Sequence, residues 1–295
     1  MTSVDAIAAE SAAAAQPAGF AGFWAIFRRN PRGVIGLAVL TLFVLLAAAA
    51  PVIAPFGQKA TGVGASFGAP DLVHLMGTDN LGRDVFSRFL GGCRISLLVG
   101  VAAAFASTVI GLLVGMTSGY FGGTIDNVLM RFTELFQTIP RFFLAMVAVA
   151  LFGASIWNIV FAIAILSWPV TARLARAEYL SLRHREFADA ARVIGVGTLG
   201  IMVIELLPNA AGPVIVNASL QVAQAILLEA GLSYLGLGDP GNASWGVMLY
   251  EAQPALRTAW WMSVFPGLGI FFVVLSLNLL GDAINDTLSP RSRAR

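Results

Sequence analysis

The ionisable side chains of this 295-residue chain are few, and their spacing matches no catalytic or metal-binding arrangement. His74 and His184 are too few and too far apart in sequence to form a metal site by themselves. The serines, histidines and acids do not show the spacing of a nucleophile with its base. We therefore predict no catalytic residue and no metal site, and an intramembrane enzyme is the third choice of function class.

Phosphate binding would need a lysine after a glycine-rich loop, because the lysine ammonium reaches the terminal phosphates. The single lysine, Lys59, lies in PFGQKAT, which lacks this pattern. The sequence therefore predicts no cofactor bound by this chain. If its work needs ATP and Mg²⁺, other subunits must hold them.

Two glutamates fall within or near apolar stretches, where charge is costly. A carboxylate at the centre of a bilayer costs about 2.5–3.5 kcal/mol on insertion scales, so such residues normally face the interior of a bundle. Glu134 lies one helical turn after Arg131, and we expect a local ion pair there. We assign Glu229, near the outer end of a span and within reach of water, to a substrate pathway together with Ser233 and Asn217. An ion-coupled secondary transporter is the alternative, although it would need more such carboxylates.

The densest charge lies between residues 173 and 192, which hold five arginines and three acids. A helix this polar cannot be buried in lipid, so we expect it at the membrane surface, accessible to a soluble partner. Gly195 should allow a sharp turn, and Pro208 should set a boundary before the next span. The residues expected on the apolar side of the helix are Leu180, Phe187, Ala190, Ala191 and Ile194.

Long apolar stretches surround this charged segment. Only 12% of the residues are charged and 58% are apolar, and a membrane-spanning helix needs about 20 apolar residues. We predict an all-α integral membrane protein, a bundle of six spans. Pro140 should break the third span, and Gly111 with Gly115 should allow close packing of the second. The spans are predicted at about 31–54, 95–117, 126–152, 156–176, 209–230 and 260–282.

The basic residues predict the orientation of the bundle. With the N-terminus inside, twelve of them lie on the inner side and five on the outer side, which favours cytosolic termini. Within the outer loop, residues 84–90 have the pattern of a short helix resting on the membrane surface. The predicted organisation is a cytosolic tail 1–30, a first transmembrane helix 31–54, an extracytoplasmic loop 55–94, a core domain 95–288 with a cytoplasmic segment 178–208, and a cytosolic tail 289–295.

The charged segment resembles the cytoplasmic signature of the permease subunits of ATP-binding-cassette importers. That signature is Glu-Ala-Ala, three residues, Gly, and Leu-Pro further on. It stands here as Asp189-Ala190-Ala191, Gly195 and Leu207-Pro208. Aspartate replaces the usual glutamate and keeps the charge.

Further blocks resemble the peptide/nickel branch of these permeases, and within it the C-type member of the permease pair. They occur in the family's order from residue 24 to the end of the chain, with Ser289 in place of the usual Asp. The blocks are GTDNLGRDVFSR (77–88), GYFGG (119–123), MRFTELFQTIP (130–140), SWPVTARLARAEYLSL (167–182), LLEAGLSYLGLG (227–238), SWGVML (244–249) and NLLGDAINDTLSPR (278–291).

The resemblance implies the type I importer permease fold and half of a heterodimeric pathway that works by alternating access. The implied partners are a B-type permease, one or two ATPase subunits, an extracytoplasmic substrate-binding protein and the lipid bilayer, with no nucleic acid. Di- or oligopeptides are the expected substrates, while nickel complexes and other small solutes stay open. The implied location is the bacterial cytoplasmic (inner) membrane. The implied ATPase-coupling residues are Glu186, Phe187, Asp189, Ala190, Ala191, Gly195, Leu207 and Pro208.

Overall fold

The computed structural model describes residues 20–288, and within that range it contains helices and loops but no strand. The predicted all-α fold is confirmed. The predicted tail 289–295, and residues 1–19 of the predicted tail 1–30, lie outside the described residues. The helices are α1 (Phe20–Phe27), α2 (Pro31–Ile53), α3 (Val85–Phe121), α4 (Gly123–Thr138), α5 (Arg141–Phe152), α6 (Ile156–Leu182), α7 (Glu186–Val193), α8 (Thr198–Leu237), α9 (Trp245–Ala252) and α10 (Trp261–Leu288).

Five of these helices, α2, α3, α6, α8 and α10, are long and apolar enough to cross a membrane, and α4 with α5 makes a sixth span if the pair is counted as one. The pair is bent by 81° at Pro140, which precedes the first residue of α5. Ile139, before the proline, is extended (φ −105°, ψ 137°), because the proline ring disfavours a helical conformation there. The predicted break of the third span is confirmed, and it forms a corner between two helices.

The loop between α2 and α3 is shorter than predicted, because α3 begins at Val85 rather than near residue 95. Asp84 caps this end by accepting hydrogen bonds from the backbone N–H and the hydroxyl of Ser87, both at 2.7 Å. Val85 and Ser87, on opposite sides of the first turn, are both buried. The predicted helix on the membrane surface is therefore wrong. Its polar side is covered by the loop, where Asp79 bonds Arg88.

The boundary predicted at Pro208 is a change of helix type and not the start of the span: an α-helical stretch begins at Leu207, but α8 as a whole begins at Thr198 and continues through the proline. A π-helical turn over Ile201–Leu206 precedes it, and the N–H of Leu207 bonds the carbonyl of Met202. This wider turn changes the backbone pairing just before Pro208, which has no N–H to donate. A second π-helical turn, Ser233–Leu237, ends α8.

Two kinds of contact pack the bundle around α3: small residues against α6, and aromatic residues near the start of α3. Gly111 and Gly115 of α3 lie directly against α6: a Cβ at Gly111 would approach the carbonyl oxygen of Trp168 to 2.6 Å. The predicted close packing of this helix is confirmed. Near the start of α3, the buried Trp245 of α9 stacks on Phe89 with ring centroids 5.4 Å apart.

Candidate functional site

The short helix α7 holds most of the residues predicted to couple this chain to an ATPase. Its N-cap residue, Arg185, is extended (φ −76°, ψ 152°), and its buried residues are Ala188 and Ala191. These two alanines belong to a buried cluster with Tyr179 of α6 and Met202 of α8. Small side chains thus hold α7 against the ends of its two neighbouring helices.

The predicted apolar side of the charged segment is wrong except at Ala191. Ala190 is exposed, Ile194 is 79% exposed and Phe187 is also exposed, while Leu180 is half-buried. The segment is not one continuous helix, because a turn separates α6 from α7. The turn separates Leu180 from the other four residues, and Phe187, Ala190 and Ile194 still share one side of α7, which is exposed because Ala188 and Ala191 face the bundle.

The exposed side of α7 combines acids with large apolar side chains. Glu186 and Asp189 lie in its first turn, where the positive end of the helix dipole favours negative charge. Asp189 accepts a hydrogen bond from Arg192 one turn later. Phe187 is exposed and Val193 is 87% exposed. An apolar patch with a charged rim of this kind suits contact with another protein.

The turn expected at Gly195 is present, and its geometry explains why glycine stands there. Gly195 has φ +84°, a conformation that strains any residue with a Cβ. Its N–H bonds the carbonyl of Arg192 at 3.1 Å, and the N–H of Val196 bonds the carbonyl of Ala191 at 3.0 Å. This pair of bonds is the Schellman motif, which ends a helix and fixes the direction of the chain that follows.

Two arginines connect α7 to the end of α3. Arg192 donates to the backbone carbonyl of Arg183 at 2.7 Å, and its guanidinium lies 5.9 Å from the ring centroid of Tyr120. Arg183 donates to the carbonyls of Gly119 and Tyr120 at 3.2 and 3.1 Å. These carbonyls lie in the last turn of α3, where a cation is favoured. A displacement of α7 would therefore reach α3 directly.

An ion pair joins α4 to α6 close to the end of α3. Arg176 contacts both carboxylate oxygens of Asp126, at 2.5 and 2.6 Å, and Ser118 of α3 also donates to Asp126. The sequence counted Arg176 only as part of the charged segment. It gave no signal for the partner, which lies on another helix.

Leu207 and Pro208, also predicted as coupling residues, lie on α8 rather than on α7. Leu207 is half-buried and Pro208 is exposed. The π-helical turn before them is tied to α6, because the hydroxyl of Tyr179 donates to the carbonyl of Met202 at 2.9 Å. The structure thus brings the signature together as a short helix, its terminal turn and the point in α8 where the π-helical turn changes to α-helix.

Asn217, assigned to a substrate pathway, belongs to a polar network between three spans. Its amide donates to the hydroxyl of Thr171 at 3.0 Å. Gln221 also donates to Thr171, and Ser107 of α3 donates to Gln221 at 2.5 Å. The network joins α3, α6 and α8; Ser107, Thr171 and Gln221 are buried, and Asn217 is half-buried. The sequence missed Thr171, Gln221 and Ser107 because their partners lie on other helices, which residue spacing does not reveal.

Glu229 and Ser233, the other pathway candidates, join α8 to α9. The carboxylate of Glu229 accepts from Ser233 at 2.7 Å and from Ser244 at 2.6 Å. Ser244 in turn caps α9 by accepting from the N–H of Val247 at 3.2 Å. Glu229 is 2% exposed, so water does not reach it in the isolated chain. A pathway role for Asn217, Glu229 and Ser233 stays a prediction.

The ion pair expected between Arg131 and Glu134 is present at 3.2 Å. His74, predicted in the outer loop, lies 3.0 Å from Asp84 through Nδ1. Its backbone N–H bonds Asp71, and this bond lowers the pKa of Asp71. Across residues 20–288, no group of three or more His, Cys, Asp or Glu is placed to hold a metal ion.

Comparison with known proteins gives a consistent result along the chain. The family model described as the inner membrane component of binding-protein-dependent transport systems matches residues 107–294. The model for the N-terminal transmembrane domain of oligopeptide transport permease C matches residues 20–70.

Relatives match over nearly the whole length. A Brucella suis protein with a provisional peptide-permease name is 41% identical, over 90% of this chain and 89% of its own. The di/tripeptide transport system permease DppC of Pseudomonas aeruginosa is 37% identical over 91% of each chain. The oligopeptide transport system permease OppC of Haemophilus influenzae is 38% identical over 90% of this chain and 87% of its own. None of these relatives supports the ion-coupled alternative.

Two solved structures share the fold. The inward-facing MetNI methionine transporter aligns with a TM-score of 0.56 and 18% identity, over 68% of this chain and 96% of its own. An amino acid ABC transporter aligns with a TM-score of 0.51 and 17% identity, over 69% and 95%. The predicted importer-permease fold is confirmed.

Proposed function

The chain belongs to the family of inner membrane components of binding-protein-dependent transport systems, and we propose that it imports di- and oligopeptides as one of two permeases in an ATP-driven transporter. The peptide names of relatives that match along nearly the whole chain support this substrate class. The match of residues 20–70 to an oligopeptide-permease domain supports it independently of the core.

The proposal requires partners. A B-type permease would form the other half of the pathway, and one or two ATPase subunits would hold ATP and Mg²⁺. An extracytoplasmic binding protein would deliver the peptide. The complex would lie in the bacterial cytoplasmic membrane with both termini of this chain in the cytosol. ATP-bound closure of the ATPases would favour the outward-facing state of the bundle, and hydrolysis would reset the inward-facing state.

The observation that carries the coupling role is the shape of the exposed α7 surface with its glycine turn. Glu186, Phe187, Asp189 and Ala190 would contact the ATPase, while Ala191 seats the helix on the bundle. Gly195, in the Schellman turn, would hold the helix at its docking angle, and Leu207 with Pro208 would begin the α-helical stretch of the moving span. Arg192 and Arg183 would carry the motion to the end of α3.

The test uses the transporter purified from its native membrane with its companion subunits and reconstituted in proteoliposomes. Asp189→Lys should leave the chain in the membrane but reduce peptide uptake per ATP hydrolysed by roughly ten-fold, since it reverses the charge at the dipole-favoured position. Asp282→Lys, which reverses an exposed acid on α10, is the matched control. Wild-type uptake by Asp189→Lys would refute the coupling role. Uptake of a nickel complex without uptake of peptides would refute the substrate class alone.

A further inference from the structure

A cavity of about 410 Å³ lies at the end of the bundle opposite α7. Arg88, near the start of α3, lines it, whereas the last turn of α3 contacts Arg183. At 1.5 Å per residue, Arg88 and Tyr120, which Arg183 bonds, are about 48 Å apart along α3. The walls come from the loop after α2, including Lys59, from the end of α8, including Ser233, and from α9, including Glu251.

Two arginines and one acid of the cavity wall, Arg83, Arg88 and Glu251, form a network with Asp79, which lies behind the wall. Arg83 and Arg88 both donate to Oδ2 of Asp79 at 2.6 Å. They also donate to Oε2 of Glu251, at 3.0 and 2.5 Å. The other oxygen of Asp79 accepts from the backbone N–H groups of Leu81 and Arg83 at 2.9 and 3.0 Å. Asp79 is therefore fully used in holding the wall together.

Other charged atoms of the same wall are left without partners. Both arginines bond Oε2 of Glu251, and among residues 20–288 no group donates to its Oε1. Nη1 of Arg83 makes no hydrogen bond within that range either. Lys59 is exposed and has no carboxylate of a described residue within salt-bridge distance. Arg88 is 4% exposed, and its Nε is buried without a partner.

We propose that this cavity binds the charged termini of a short peptide. The α-carboxylate would lie between Lys59 and Arg83, and the α-ammonium would donate to Oε1 of Glu251. Charge-assisted hydrogen bonds of this kind are stronger than neutral ones, and the two signs are present on one wall. The volume lies within the range of small-molecule sites. This inference rests on the proposed peptide transport and adds a site for it on this subunit.

The position of the cavity gives the site a place in transport. Ser233 lines the cavity and also bonds Glu229, which is bonded in turn by Ser244 at the start of α9. Gly236, with φ +86°, lies in the same wall. A bound peptide would therefore touch the π-helical end of α8, which in the predicted orientation is its extracytoplasmic end.

The test measures peptide binding to the complete permease–ATPase complex in nanodiscs without the binding protein. The probes are trialanine, N-acetyl-trialanine and trialanine amide, titrated by saturation-transfer NMR. Wild type should bind trialanine roughly five-fold or more tightly than either blocked peptide, because each blocked form loses one charge-assisted contact. Equal binding of all three peptides, or no binding of any, would overturn the inference.

Variants assign each terminus. Lys59→Gln should remove the preference for trialanine over its amide and keep the preference over the acetylated peptide. Glu251→Gln should remove the preference for trialanine over the acetylated peptide and keep the preference over the amide. Lys59 is exposed and unpaired within the described residues, so Lys59→Gln should fold even if Glu251→Gln does not. Arg257→Gln, which removes a cation outside the cavity wall, should change neither preference, and a matching loss there would show a general surface-charge effect and overturn the site.

Uptake measured on the same preparations separates the two proposals. Peptide uptake with the binding protein present, combined with no discrimination at the cavity, would leave the proposed function standing and overturn this site. Absence of peptide uptake while another solute is imported would overturn both.

Discussion

Replacing Gly195 with alanine tests whether the turn after α7 contributes to coupling. Gly195 has φ +84°, and a Cβ built there meets no atom within 4 Å. The substitution therefore adds backbone strain without a steric clash inside the chain. Gly197 provides a matched control, because it also has no atom within 4 Å of an added Cβ, while its φ is −66°.

The expected effect follows from the conformational cost. A residue with a Cβ loses about 1–2 kcal/mol in the left-handed region relative to glycine. This free energy corresponds to a roughly 5- to 30-fold lower population of the turn that fixes α7. Alanine at Gly197 has no such cost, because its backbone lies in the ordinary extended region.

The assay is peptide uptake per ATP hydrolysed by the reconstituted transporter. Gly195→Ala should lower this ratio by several-fold up to the full 30-fold shift, and Gly197→Ala should leave it unchanged. Gly195→Asn should lie between them, because asparagine tolerates the left-handed region better than alanine. Equal ratios for the two alanine variants would refute the role of the Schellman turn.

Three further predictions concern the bundle. Gly115→Ala would place a Cβ 2.7 Å from a side chain of α6, so we expect the free energy of unfolding to fall by about 1–3 kcal/mol and the unfolding midpoint of the purified complex to fall with it. Gly267→Ala, where an added Cβ has no atom within 4 Å, should keep the wild-type midpoint. Equal midpoints for the two variants would contradict the close packing at Gly115. Gln221→Leu should lower the free energy of unfolding by about 1–3 kcal/mol, because the buried hydroxyls that it contacts lose their hydrogen-bond partner. An unchanged unfolding midpoint of the purified complex would contradict this prediction. Asp126→Asn should lower the free energy of unfolding by about 1 kcal/mol, a small value because the ion pair with Arg176 is partly exposed. Amide hydrogen exchange at the start of α4 should become faster, and an unchanged exchange rate would contradict this prediction.

Local features were predictable because they depend on single residues and their neighbours in sequence. Pro140 lacks an N–H and restricts the residue before it, so the break of the third span follows without tertiary information. Gly111 and Gly115 lie one turn apart, so they share a side of the helix and allow close approach. Gly195 follows the last turn of α7, where a helix commonly ends in a positive φ.

Features that depend on partners distant in sequence were not predictable. The pattern of residues 84–90 fits both a helix on the membrane surface and a helix covered by a folded loop. The structure selects the second because Asp79 bonds Arg88. Similarly, the pairing of Asp126 with Arg176 and of Gln221 with Thr171 depends on which helices are neighbours.

The membrane class, the family and the polar segment with its glycine turn could all be predicted from the residues alone. These follow from apolar length, from the positions of charge and from local backbone restrictions. The folded chain was needed to show which side of α7 is buried, how far α3 and α8 extend, and which charged atoms around the cavity at Arg88 have no partner within residues 20–288. Each of these depends on the free energy of burying one group against another, and that free energy is defined only when both groups have positions in space.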